Sequence, residues 1–290
     1  MPAFHLNLAW AIAEAVAVGF AIAYPIVLAI VASTRLRVSW RYFLWGALVF
    51  FVFQVILRLP WVTVIGALYG KQIAASPALL WGWLTILVVT AALFEEVGRY
   101  IGYRVLMRKE EKTWSKAVMY GLGHGGIESI LLVGVGGALT LLNLVILSAM
   151  NLNTLPAAQR DTVAHQLAAL AAQPGWFPLL GAWERLWTVP VHVALSVLVL
   201  QVFRRGHIGW LWLAIPGHIV VDGVTVALAQ GLVPRVGLVN GDLMIEGLIA
   251  VFGVVAIWII WRLREQSADA ASAALPIAPA QPATLPQAGA

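Results

Sequence analysis

The sequence predicts an all-α, polytopic membrane bundle of about seven transmembrane helices. Three observations carry that expectation. The chain has 290 residues, of which 61% are hydrophobic and only 11% charged, whereas a soluble domain has roughly a quarter of its residues charged. Apolar runs longer than about 18 residues recur along it, each long enough to span a bilayer. The cations gather in alternate short loops between those runs. The net charge of +5 is therefore a membrane-topology signal rather than a nucleic-acid footprint, and no nucleic-acid motif accompanies it. Cysteine is absent, which excludes disulfides, thiolate ligands and cysteine nucleophiles.

Taken in order, the spans are expected at approximately 6–33, 42–68, 78–106, 117–150, 178–203, 209–232 and 243–263. The first run lacks a basic leader and continues to about Val31, too long for a signal-peptide core, so it reads as a retained span. The fourth contains "GVGGA" (134–138) and either bends there or divides into two segments. Between the fourth and fifth, residues 151–177 show helical periodicity around Val163, Leu167 and Leu170, expected as a short amphipathic helix. Residues 1–265 form the transmembrane domain, and 266–290 are an Ala/Pro-rich tail expected to be disordered. The fourteen tryptophans suit interfacial belts.

Arg35, Arg37 and Arg41 lie in one loop, and Arg104, Arg108, Lys109, Lys112 and Lys116 in another. Arg204 and Arg205 follow span five, and Arg262 and Arg264 follow span seven. The alternate loops hold only Lys71, Arg160 and Arg235. The positive-inside rule then puts the N-terminus outside and the C-terminus in the cytoplasm of a multi-pass protein of a bacterial-type cytoplasmic membrane.

Ionisable residues inside the spans are the informative exception, because charge in hydrocarbon is rare and usually functional. Span three has Glu95, Glu96 and Arg99 in "FEEVGRY". Span four has His124 and Glu128 in "GHGGIES". Span five has Glu184, Arg185, His192 and Ser196 in "WERLWTVPVHVALS", and span six has His218 and Asp222 in "GHIVVDG". Four i,i+4 pairs (Glu95–Arg99, His124–Glu128, His192–Ser196 and His218–Asp222) each share one helix face. At about 1.5 Å per residue, Glu96, His124, His192 and His218 lie roughly 10–17 Å from the basic end. A shared depth argues for one interior layer, against scattered structural pairs.

Three histidines beside carboxylates suit Zn²⁺. His124, His192 and His218 are the expected metal ligands or carbonyl polarisers. Glu95 or Glu96 is the expected general base for water, and Arg99 holds that carboxylate ionised, orients it or stabilises oxyanion charge. Glu128, Ser196 and Asp222 are expected to support these groups from behind. The glycines around His124 leave room for a helix or a substrate. Glu14 and Gln54 read as packing or interhelical hydrogen-bonding residues, Arg58 as a snorkelling cation, and His5, His165 and His207 as solvated. Glu184 shares the face of His192 and would line an access path, with Arg185 as its partner.

These four motifs, in order over about residues 90–225, resemble the YhfC family of intramembrane metalloproteases. The family is similar to the superfamily of CPBP type II CAAX proteases and PrsW proteases. The resemblance implies a peptidase whose glutamate pair, Glu95 and Glu96, carries the base, with Tyr120–His124 and His218–Asp222 as the two histidine motifs. It implies a membrane protein or lipidated peptide as substrate and partner. Two departures stand out. The Glu-Glu-x-x-Arg spacing is one residue shorter than in CAAX-type enzymes and closer to the PrsW Glu-Glu-x-x-Lys, and Asp222 stands where Asn is usual. A non-catalytic relative, the scaffold subunit of γ-secretase, keeps histidines without the glutamate pair. The alternatives to a peptidase are thus a silent membrane scaffold or chaperone, or an ion-coupled transporter; no internal repeat supports the transporter.

Overall fold

The computed structural model describes residues 7–150 and 154–273. Seven of its helices are long and apolar enough to cross a membrane. They are α1 (Leu8–Arg35), α2 (Arg41–Ala75), α3 (Pro77–Val105), α4 (Trp114–Ser148), α6 (Leu179–Arg205), α7 (Gly209–Val236) and α8, whose spanning part is Leu238–Arg264. The short α5 (Ala157–Ala171) fills the long loop, as its periodicity predicts. The helix of α8 continues to Ala273, into the segment read as tail. The rest of that expected tail, and His5, lie outside the described residues.

Local chemistry sets the helix ends. Asn7 Oδ1 accepts from the backbone N–H of Ala9 and Trp10 and starts α1. Ser76 caps α3 with Pro77 at its first position. Thr113 Oγ1 accepts from Lys116 N at the start of α4. Gly206, at φ +67°, closes α6 in the left-handed conformation that glycine adopts without penalty.

The α6 helix is the axis of the bundle. Every residue from 191 to 202 is buried, and α6 packs against α1, α3, α4, α7 and α8. The glycines of α4 permit its close approach. A Cβ on Gly125 would stand 2.8 Å from His192 Cβ of α6, and one on Gly123 would overlap the Phe43 carbonyl of α2. Small residues thus let α4 insert between α2 and α6.

Two helices contain π-helical segments. Residues Phe51–Arg58 widen α2, and Ile130–Val135 widen α4, running into the first two residues of the "GVGGA" run. Span four is therefore one continuous helix with a wider stretch inside it. Such bulges rotate the residues that follow them and often occur where a site needs a side chain re-aimed.

The two ends of the bundle differ. The basic loops meet at one end, where Arg41 pairs with Glu110 at 2.7 Å, Trp114 Nε1 donates to the Ile260 carbonyl, and Arg264 stacks over the Trp114 ring. Behind them Tyr103, Met107, Met119, Tyr120 and Leu200 form a fully buried plug. At the other end Trp10 Nε1 donates to Gln173 Oε1, and Trp10, Leu144 and Leu167 dock α5 against α1 and α4.

Candidate metal and catalytic centre

One guanidinium gathers both glutamates of α3. Arg99 Nη1 pairs with Glu96 Oε1, and Nη2 lies 3.3 Å from Glu95 Oε2. Arg99 and Glu96 are fully buried and Glu95 is 5% exposed. A buried charge persists only when it is paired and hydrogen-bonded, and the two glutamates are held in different ways.

Glu95 faces α2, α4 and α6. Its Oε1 accepts from Gln54 Nε2 at 2.6 Å. Its Oε2 is 3.0 Å from His124 Nε2 and 3.6 Å from His192 Nδ1. The other nitrogen of His192, Nε2, lies 2.8 Å from Glu128 Oε2. Glu128 accepts in turn from Arg185 Nη1 at 2.9 Å, and Arg185 Nη2 pairs with Glu184. Assigned from these partners, His192 carries its proton on Nε2 and turns the Nδ1 lone pair toward Glu95. Arg99 Nη2 donates to that same Nδ1 at 2.8 Å.

Glu96 faces α7. Its Oε1 is 2.8 Å from His218 Nδ1, and the other His218 nitrogen is 3.5 Å from Asp222 Oδ2. His218 is thus held between two carboxylates. Among the described residues, Glu96 Oε2 has no hydrogen-bond partner.

The four motifs do form one layer, but not one cluster of three histidines. Among the described residues, the one group of three or more whose metal-ligating atoms all lie within 4.8 Å of one another is Glu95, His124 and His192. His218 stands outside that group, with its ring 5.9 Å from that of His192. Glu128 does not serve His124, its i,i+4 neighbour; it reaches across to His192, because Arg185 on α6 draws it there. The His218–Asp222 pair stays on its own helix. Ser196 is buried against α4, where a Cβ on Gly121 would meet its side chain, and its hydroxyl has no partner among the described residues.

A cavity of 380 Å³ opens onto this layer. Glu95, Glu128, His192, His218 and Asp222 line it, together with Arg58. Gln54 and Arg58 both line this cavity, a placement not expected from the sequence. Arg58 does not snorkel: Nη1 donates to Gln54 Oε1, Nη2 to the Leu87 carbonyl and Nε to Thr90. Gln54 makes the interhelical hydrogen bond expected of it, but to Glu95 itself. The signal was present as a polar i,i+4 pair inside span two, and the π-helical segment that contains both residues aims them inward.

The donor set fits a metal cation. Two imidazoles and a carboxylate are a common catalytic zinc set that leaves a coordination position free. His192 already has a carboxylate on its far nitrogen, the arrangement that fixes a ligating tautomer. The layer also has more carboxylates (Glu95, Glu96, Glu128, Glu184 and Asp222) than guanidiniums (Arg58, Arg99 and Arg185), so added positive charge offsets buried negative charge.

The comparisons with known proteins agree with the motifs. Residues 20–243 match the family model for the YhfC intramembrane metalloproteases. An uncharacterized membrane protein, YhfC of Bacillus subtilis (strain 168), is 30% identical over 243 residues, covering 81% of this chain and 90% of the relative. No solved structure matches the chain. With a family match over most of its length and the glutamate and histidine motifs gathered in one buried layer, this multi-pass membrane protein belongs to the YhfC intramembrane metalloprotease family.

Proposed function

We propose that the protein is an intramembrane peptidase that hydrolyses a peptide bond of a membrane protein or lipidated peptide. The observation that carries this is the convergence of Glu95, His124 and His192, two of which, Glu95 and His192, line a cavity within a membrane-spanning bundle. The bilayer holds almost no water, so hydrolysis there needs a polar chamber of this kind. The positive-inside rule puts the basic end in the cytoplasm.

Glu95 Oε2, His124 Nε2 and His192 Nδ1 would hold zinc, which would take the Nδ1 lone pair that Arg99 Nη2 now occupies. Zinc bound there supplies Lewis-acid polarisation of the scissile carbonyl and a more acidic water. Glu128 accepts from His192 Nε2–H and keeps Nδ1 turned to the site. Gln54 fixes the second oxygen of Glu95. His218 lines the same cavity between Glu96 and Asp222. Neutral His218, donating Nδ1–H to Glu96 Oε1, can take a proton from the attacking water on Nε2, where Asp222 Oδ2 then accepts it, and the same Nε2–H is returned to the leaving amine. Arg99 joins the two halves and offsets negative charge that builds as the carbonyl is attacked.

A second reading has one observation in its favour. The Arg99 guanidinium already touches both Glu95 Oε2 and His192 Nδ1. In a metal-free version Glu95 Oε2 is itself the base that takes the proton of water.

The test is direct. Purified protein is incubated with a membrane fraction, and newly created peptide N-termini are read by mass spectrometry. Glu95→Gln should reduce their rate of appearance about 10³-fold. Unchanged N-termini in a folded Glu95→Gln protein would leave a scaffold or transporter in place of the peptidase.

A further inference from the structure

We infer that the end of the bundle opposite the basic loops carries a recognition pocket for a positively charged residue of the substrate chain. This rests on the peptidase reading for what lies beyond the pocket, though not for the pocket itself. The cavity there has a volume of 540 Å³. Glu14 of α1, Glu184 of α6, and Asp242 and Glu246 of α8 line it, with Trp10 and Phe177 on the wall.

Acidic residues often cluster at a surface without a ligand, but one of these is out of place. Glu246 lines the cavity, is only 9% exposed, and its Oε2 has no hydrogen-bond partner among the described residues. A buried carboxylate oxygen without a donor is unfavourable, and a cationic donor entering the cavity relieves it. Arg185 directs Nη1 to Glu128 and Nη2 to Glu184 and makes no hydrogen bond to Glu246 Oε2.

The shape argues for a side chain rather than a bare metal ion. Among the described residues, none of these four acids belongs to the group whose ligand atoms lie within 4.8 Å of one another. The volume is that of an amino-acid side chain with room to spare. The Trp10 and Phe177 rings suit the apolar stem of lysine or arginine and its charged head. Low-dielectric walls focus the field of the carboxylates into the opening.

The pocket adjoins the reaction centre. Glu184 and Leu132 line both cavities. Glu184 and His192 are eight positions apart on α6, about 12 Å along the helix axis. An extended peptide covers that distance in about four residues. The cationic residue would therefore sit about four residues from the bond to be cut.

The probe is acetyl-Lys-Lys-Lys-amide, with acetyl-Glu-Glu-Glu-amide as its opposite. Binding to the full chain in nanodiscs of zwitterionic phosphatidylcholine is measured by titration calorimetry at low and high salt. The lysine peptide should bind and the glutamate peptide should not. Salt should weaken the binding, and a Glu246→Gln/Asp242→Asn protein should bind about tenfold more weakly, equivalent to about 1.4 kcal/mol. Glu14→Gln, on a different helix, asks the same question if the double variant does not fold. Glu111→Gln, at the basic end, should bind as the unaltered protein does. Glu95→Gln should also bind normally, which separates failure of this pocket from failure of the peptidase reading. Equal binding of both peptides, calcium binding at the cavity without the lysine peptide, or affinity unchanged by Glu246→Gln/Asp242→Asn and Glu14→Gln would overturn the inference.

Discussion

The two carboxylate–histidine half-sites on either side of Arg99 are built from the same residue types yet are not equivalent. On one side Glu95 reaches two imidazoles from two other helices and borders the cavity. On the other, Glu96 is fully enclosed and reaches one imidazole, whose far nitrogen faces Asp222. Adjacent residues on a helix point about 100° apart, so one glutamate can serve α4 and α6 while the next serves α7. In the proposed function this becomes a division of labour: the Glu95 side, whose ligand atoms converge, would hold a metal, and the Glu96 side would hold a proton carrier in place.

The largest way to sharpen that contrast is at His218. His218→Gln should lower hydrolysis about 10²–10³-fold, as loss of a general acid–base group does, while bound zinc stays near its original content. Loss of zinc together with activity would erase the distinction between the halves. Metal content by elemental mass spectrometry and turnover on the same preparation decide it.

Glu128→Gln comes next. It keeps the shape but weakens the acceptor on His192 Nε2 and unbalances Arg185. Zinc affinity should fall about 10–100-fold, the usual consequence of removing such a partner. Competition with a fluorescent chelator measures it, and an unchanged affinity would place the ligands elsewhere.

The smallest effect is expected at Gln54. Gln54→Leu removes the donor to Glu95 Oε1 and should destabilise the fold by about 1.5–3 kcal/mol, the worth of a hydrogen bond to a charged group. Thermal unfolding in detergent reads this. A Gln54→Leu protein as stable as the original would mean that Glu95 does not depend on α2.

Much of this arrangement was legible in the sequence. The spans follow from apolar run length, and the shared depth of "FEEVGRY", "GHGGIES", "WERLWTVPVHVALS" and "GHIVVDG" anticipates one buried layer. The helix in the long loop follows from Val163, Leu167 and Leu170. The partners within the layer were less legible, since spacing fixes which face of a helix a residue occupies but not which neighbour that face meets. From spacing Glu128 could serve either His124 or a neighbouring helix, and the packing of α4 on α6 gives it to His192 and Arg185. For the same reason three histidines at one depth read as a single ligand set, while the observed group replaces His218 with Glu95. Gln54 and Arg58 needed the π-helical segment of α2, a backbone feature with no simple sequence pattern, to turn them toward Glu95.

The most direct test of the central claim is the zinc content of three purified variants compared with the unaltered protein. The account predicts about one zinc per chain in the original and in His218→Ala, and none in His124→Ala or His192→Ala. Zinc lost from His218→Ala but kept in His192→Ala would contradict the assignment of Glu95, His124 and His192 as the reaction centre.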